Sequence, residues 1–203
     1  AVDDVTPTAN EEAWADVTGA SAAVGGTGGN NMFTYSNSSL MDGLKISASY
    51  TPSDGATQVE SSDDYGFEYT GVDGLKIGAA FGDDNTSSTA GESKSTMYAV
   101  YTFDSFSVGF QASENDSETA NSDVDFTALG VSYAVSDDMS VSLNSSTHEY
   151  EDSTKSDQEA TGISVSYTMG SLSIKANHNT IDNLAGVSTT DRSGYALTLG
   201  FTF

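Results

Sequence analysis

Apolar and polar residues alternate two by two along most of the chain from residue 31 onward. The last nine residues show it most strictly. Tyr195, Leu197, Leu199, Phe201 and Phe203 share one parity, and Ala196, Thr198, Gly200 and Thr202 share the other. Alternation of this kind predicts a strand whose two faces meet different surroundings. The same pattern sets Leu44, Ile46, Ala48 and Tyr50 against Lys45, Ser47 and Ser49, and Leu75, Ile77, Ala79 and Phe81 against Lys76, Gly78 and Ala80. It also sets Phe106, Val108, Phe110 and Ala112 against Ser107, Gly109, Gln111 and Ser113. Ile163, Val165, Tyr167 and Met169 oppose Ser164, Ser166 and Thr168, and Leu172, Ile174 and Ala176 oppose Ser173, Lys175 and Asn177. Strands running one way are expected at 32–40, 64–72, 95–103, 124–135, 160–169 and 194–203, and strands running back at 44–50, 75–82, 106–113, 139–148 and 172–181.

The connections fall into two kinds. Tight turns are expected at Asp42-Gly43, Asp73-Gly74, Asp104-Ser105, Asp137-Asp138 and Gly170-Ser171, and the next equal step, 31 to 33 residues on, lands on Phe203. Asp-Gly between alternating runs is a strong hairpin signal and predicts a type I′ turn, which needs positive φ at both central residues. At the other end lie long segments, 51–63, 83–94, 114–123, 149–159 and 182–193, rich in Asp, Glu, Ser, Thr, Asn and Gly. Residues 1–30 do not alternate. Thr8-Ala-Asn-Glu11 has capping-box spacing, Glu11 to Val17 could form a short helix, and a small, flexible Gly-rich stretch follows. The chain therefore divides into a loop segment, 1–30, and a strand repeat, 31–203.

Short turns at one end, long polar loops at the other and aromatic residues near both strand ends form the pattern of an antiparallel transmembrane β-barrel. Tyr50, Tyr65, Phe67 and Phe81 lie toward the loops; Tyr101, Phe103, Phe106, Tyr133, Tyr167, Phe201 and Phe203 lie toward the turns. A secreted acidic β-sandwich also alternates, but seldom keeps one hairpin period with every tight turn at the same end. No apolar run reaches the roughly 18–20 residues of a membrane helix, which leaves strand crossing open.

Composition narrows the function classes. Six Lys+Arg against thirty Asp+Glu give a net charge of −24, which repels phosphate backbones and argues against nucleic-acid binding. With no Cys, disulfides and thiolate metal sites are absent. The chain starts with Ala and shows no cationic-then-apolar leader.

The terminal segment resembles the closing strand of bacterial outer-membrane barrels, and the whole pattern resembles the Gram-negative general, trimeric porins. The resemblance implies sixteen strands and a third outer loop folded into the pore. Counting back from Phe203, the eleven visible strands would be strands six to sixteen, and 1–30 would take the place of the constriction loop. A complete twelve-stranded barrel is the other count. The resemblance further implies passive diffusion of small hydrophilic solutes through a homotrimer in the outer membrane, contact with lipopolysaccharide, and recognition of Tyr195, Leu197, Leu199, Phe201 and Phe203 by the barrel assembly machinery. A surface barrel serving as adhesin or receptor is the competing class.

Candidate chemistry is electrostatic, because a constriction acts through its lining charges and its width. Asp3, Asp4, Glu11, Glu12 and Asp16 would form the acidic side of the inward loop, and Lys45, Lys76, Lys175 and Glu68 have the parity of pore lining. The acidic lining and mouth predict a cation preference. Asp54, Glu60, Asp63, Asp83, Asp84, Glu92, Glu114, Asp116, Glu118, Glu149, Glu151, Asp152 and Asp157 are read as loop acids, candidates for Ca²⁺ or Mg²⁺ without EF-hand spacing. No other cofactor is expected. His148 has pore parity and His178 the opposite parity, so they are not expected to share a site. His178-Asn-Thr matches only the start of the His-x-Ser motif of outer-membrane phospholipases, and no enzyme is expected.

Overall fold

The computed structural model describes residues 32–53, 60–85 and 91–202. Eleven strands follow in chain order: β1 (Phe33–Asn37), β2 (Leu44–Thr51), β3 (Ser62–Val72), β4 (Leu75–Asp84), β5 (Glu92–Phe103), β6 (Phe106–Ser117), β7 (Val124–Ser136), β8 (Met139–Tyr150), β9 (Gln158–Met169), β10 (Leu172–Asp182) and β11 (Arg192–Phe201). They form one sheet in the order β1 to β11. Every pairing is antiparallel between sequence neighbours. The short turns fix half of these pairings, because a tight hairpin delivers the next strand beside the last.

The register carries the sequence parity across the sheet. Directly opposed residues share a face, so Ile77, Ala99, Phe110 and Leu129 make one outer row. Lys45, Glu68, Gly78, Tyr98 and Gln111 make one inner row. Exposure shows which face is sheltered. Outer Phe103 is 67% exposed and Leu197 68%, whereas inner Gln111 is 1% and Ser164 3%. Among the described residues, buried polar residues outnumber buried apolar ones, eleven to six. This inverts the order of a water-soluble domain. The apolar face would be costly in water and is stable in hydrocarbon.

Aromatic side chains cluster at the ends of this outer face. Tyr65 and Phe81 approach with ring centroids 5.6 Å apart at the loop side, and Phe106 and Tyr133 at 4.5 Å beside the turns.

Three local expectations need correction. First, β1 stops at Asn37 rather than reaching residue 40. The Asn37 Oδ1 accepts a hydrogen bond from the Ser39 amide at 2.7 Å, an Asx-type turn that competes with the ladder. Residues 38–43 then connect to β2, closed by Leu44 N donating to Met41 O at 3.1 Å.

Second, the Asp-Gly turns are not type I′. Gly43 and Gly74 have positive φ (75° and 71°), but Asp42 and Asp73 are absent from the residues with positive φ. Before the second of these turns the β3–β4 register shifts between Tyr69 and Val72, a bulge-like irregularity.

Third, the strands run further toward the loops than the alternation suggests. Asp63, Asp83, Asp84, Glu92, Glu114, Asp116 and Glu149 lie on strands, not in loops. Ladder pairing is a backbone property and continues where the side chains turn polar. The apolar signal stops where the hydrocarbon would stop.

Residues 1–30, including the proposed helix, and Phe203 lie outside the described residues.

Substituting outward Leu143, 55% exposed, by Arg is expected to destabilise the folded, membrane-inserted protein by about 2–4 kcal/mol, the cost of Arg near a bilayer midplane. Thr198→Arg on the inner face is expected to cost under about 1 kcal/mol. Urea unfolding in liposomes, followed by the loss of β-sheet circular dichroism, checks the difference.

Candidate functional site: the inner face of the wall

The inner face gathers the chain's cations. By register, Lys45 (opposite Glu68), Lys76 (opposite Val100), Lys94 (opposite Gly82), Lys175 (opposite Ser166) and Arg192 (opposite Ile181) all take inner positions. The sixth basic residue, Lys155, sits in a loop with its ammonium 4.6 Å from the Tyr150 ring centroid. Acidic residues at inner register positions on the strands are Asp64, Glu68, Asp84 and Glu92, the last two directly opposed.

The best-defined cluster centres on Glu68. Its Oε2 accepts a hydrogen bond from the Tyr98 hydroxyl at 2.6 Å and an ion pair from Lys76 Nζ at 3.0 Å. Lys76 Nζ also stands 5.8 Å from the Tyr98 ring centroid. Tyr98 is 3% exposed. It belongs to β5 and Glu68 to β3, so the phenol crosses the whole width of β4. The crossing is open because β4 carries Gly78 there: a Cβ on Gly78 would lie 2.5 Å from the Tyr98 ring. Lys45 stands directly opposite Glu68 on β2. The structure thus brings together three of the four predicted lining residues, Lys45, Lys76 and Glu68. Lys175 lies apart, between Ser166 of β9 and Thr198 of β11.

Away from this cluster, the inner wall carries an ion pair between Lys94 Nζ and Glu92 Oε2 at 3.0 Å and several hydroxyl hydrogen bonds. Thr96 and Ser113 hydroxyls meet at 2.7 Å, Ser140 and Ser166 at 2.6 Å, and Ser49 donates to Asp64 at 2.7 Å. Near the loops, His148 contacts the Phe126 ring at 4.8 Å between centroids, and its Nδ1 lies 3.1 Å from Gln158 Nε2. The Gln158 Oε1 accepts from the Ala185 amide at 2.8 Å. Loops 151–157 and 183–191 are joined by Ser156 N donating to Gly186 O at 3.0 Å and by Asn183 Nδ2 donating to Asp157 O at 3.0 Å. In the first of these loops, hydrogen bonds from the Thr154 hydroxyl and amide hold Asp152 below the usual carboxylate range. His178 is on the outer face against Tyr195, ring centroids 4.2 Å apart. The two histidines lie on opposite faces, as their parity predicted.

On the outer face, the apolar band gives way to carboxylates at the loop end. Glu114 is directly opposite Asp125, which is opposite Glu149, and Glu159 is opposite Asp182. Among the described residues, no group of three His, Cys, Asp or Glu is arranged to hold a metal ion.

Sequence reasoning missed Tyr98, Lys94 and Arg192. Tyr98 carried a legible signal: an aromatic on the polar parity of its strand. Lys94 and Arg192 were assigned to loops, where parity has no meaning. Asp3, Asp4, Glu11, Glu12 and Asp16 lie outside the described residues.

The sequence matches the family model described as Gram-negative porin over residues 1–185. The chain belongs to the Gram-negative porin family. No curated protein matches its sequence. Among solved structures, the anion-selective porin of Comamonas acidovorans is similar with TM-score 0.73 at 12% identity, covering 86% of this chain and 60% of that one. OmpF of Salmonella typhi, solved with daunomycin, gives 0.65 at 12% identity, covering 84% and 61%. OmpT of Vibrio cholerae gives 0.57 at 17% identity, covering 85% and 64%. At these identities the likeness concerns the fold. The porin described here spans 60% of the length of the Comamonas structure. Its family places it in the outer membrane of Gram-negative bacteria.

Gly78→Ala is expected to destabilise the porin by about 1–3 kcal/mol through overpacking against Tyr98. The cost should largely vanish in a Tyr98→Ala background. A double-mutant cycle on urea unfolding checks this coupling.

Proposed function

We propose that the porin forms a water-filled channel through which small hydrophilic solutes and ions diffuse passively, and that it works as a homotrimer. The observation that carries this reading is the inversion of the sheet. A continuous hydrogen-bonded wall turns its apolar face outward and shelters a polar, charged face. Such a wall is stable in lipid and hydrated inside.

We further propose a preference for cations. The net charge of −24 and the carboxylates of the loop end support it, since ions concentrate at a mouth of opposite sign. The inner strands pull slightly the other way, with five basic residues at inner positions against Asp64, Glu68, Asp84 and Glu92. The preference would therefore be set at the acidic mouth and on segment 1–30, with Asp3, Asp4, Glu11, Glu12 and Asp16 as the acidic side of a constriction. Lys45, Lys76, Glu68 and Lys175 would modulate it from the wall. The outward carboxylates would meet lipopolysaccharide phosphates through Ca²⁺ or Mg²⁺. Tyr195, Leu197, Leu199, Phe201 and Phe203 would present the strand that the barrel assembly machinery reads.

Planar-bilayer recordings of the full-length protein test the proposal. Expected are stepwise, ohmic conductances and, under a KCl gradient, a reversal potential of cation-selective sign that shrinks with rising salt as the fixed charges are screened. Absence of conductance would overturn the channel. An anion-selective sign would overturn the charge assignment.

A further inference from the structure

Three charges of the inner wall share one neighbourhood, yet they are not equivalent. Lys45 is the direct cross-strand neighbour of Glu68, the position from which an ion pair is ordinarily made. The carboxylate nevertheless pairs with Lys76, and Lys45 makes no ion pair within 4 Å among the described residues. The cause is visible in the geometry. Tyr98 reaches Glu68 over Gly78 across two inter-strand spacings, about 9–10 Å. Its hydroxyl donates a short, charge-assisted hydrogen bond to Oε2, the same oxygen that Lys76 contacts. That oxygen is thereby held by groups of β4 and β5.

We propose that Tyr98 is the positioning residue of the pore wall: it pins Glu68 to Lys76 and so leaves Lys45 as the uncompensated cation that permeating anions meet. Burial of the phenol makes the arrangement rigid, because a side chain 3% exposed and packed over a glycine has no alternative place to swing. Without the hydroxyl, Glu68 is free to turn to its direct neighbour, Lys45, and the bare charge moves to Lys76. The wall's net charge is unchanged; the strand that carries the exposed positive charge is not. The inference rests on the channel reading given above.

Competitive labelling separates the two lysines. The full-length porin, folded in detergent micelles, is treated with limiting acetic anhydride, and acetylation at Lys45 and Lys76 is quantified by mass spectrometry. An ammonium held in an ion pair reacts slowly, so the Lys45-to-Lys76 ratio reports which one Glu68 holds. The ratio is expected to fall about ten-fold or more in Tyr98→Phe, the factor that one hydrogen bond to a charged group supplies. It should fall similarly in Glu68→Gln, and Tyr98→Phe should add nothing in the Glu68→Gln background. Glu68→Asp gives a second route that leaves Tyr98 untouched. The shorter acid keeps its charge and loses the reach over Gly78, so the ratio should fall again. A ratio unchanged by both Tyr98→Phe and Glu68→Asp would overturn the proposal. So would an effect of Tyr98→Phe that persists without the Glu68 carboxylate. Bilayer recording of the same preparations keeps the two readings apart. A non-conducting wild type counts against the channel alone, and a conducting one with an unchanged ratio counts against the role of Tyr98 alone.

Discussion

A backbone amide or carbonyl left without a partner in hydrocarbon costs several kcal/mol, and this constraint orders everything else in the chain. A sheet meets it only if each strand finds a neighbour on both sides through the depth of the membrane. Strands β2 to β10 do so by pairing in sequence order, with ladders of ten or more residues over most of the sheet, while β1 and β11 each pair on one side. Once the ladder takes care of the main chain, side chains are free to sort by face. Apolar residues go outward, where no water competes, and Ser, Thr, Asn, Gln and the cations go inward.

Sorting by face also separates the charges, which changes how the composition should be understood. A chain with a formal charge of −24 suggests an acidic interior. Among the described residues most acidic groups instead lie in turns and loops and at the loop end of the outer face, while Lys45, Lys76, Lys94, Lys175 and Arg192 take inner positions beside Asp64, Glu68, Asp84 and Glu92. A lysine or arginine on the outer face of the apolar band would carry an isolated charge into hydrocarbon, which the inner, hydrated face avoids. Net charge describes the mouth of such a molecule better than its wall.

Within the wall, glycines act by omission. Gly78 is useful because it lets one strand's side chain reach past the next. Tyr98 and Glu68 meet over it, and a local patch of lysine, carboxylate and phenol becomes a fixed arrangement. The loop side is built differently. Backbone and amide hydrogen bonds through Gln158, Asn183, Ser156 and Gly186 dock two loops onto each other and onto the inner face near His148.

The sequence by itself determined the strands, their faces, the spacing of the turns and the end of the barrel at which they lie. These are local properties: side chains alternate with period two whatever the partner strand, and a tight turn is written in a few adjacent residues. It also assigned Lys45, Lys76, Glu68 and Lys175 to the pore side, since parity needs only the strand. Tertiary structure decided the rest. Polar strand ends such as Glu114 to Ser117 were read as loop because pairing there leaves no apolar trace. The choice of Lys76 over Lys45 depends on a tyrosine thirty residues from Glu68 in the chain and on a glycine between them, and only the register of three strands sets those residues side by side.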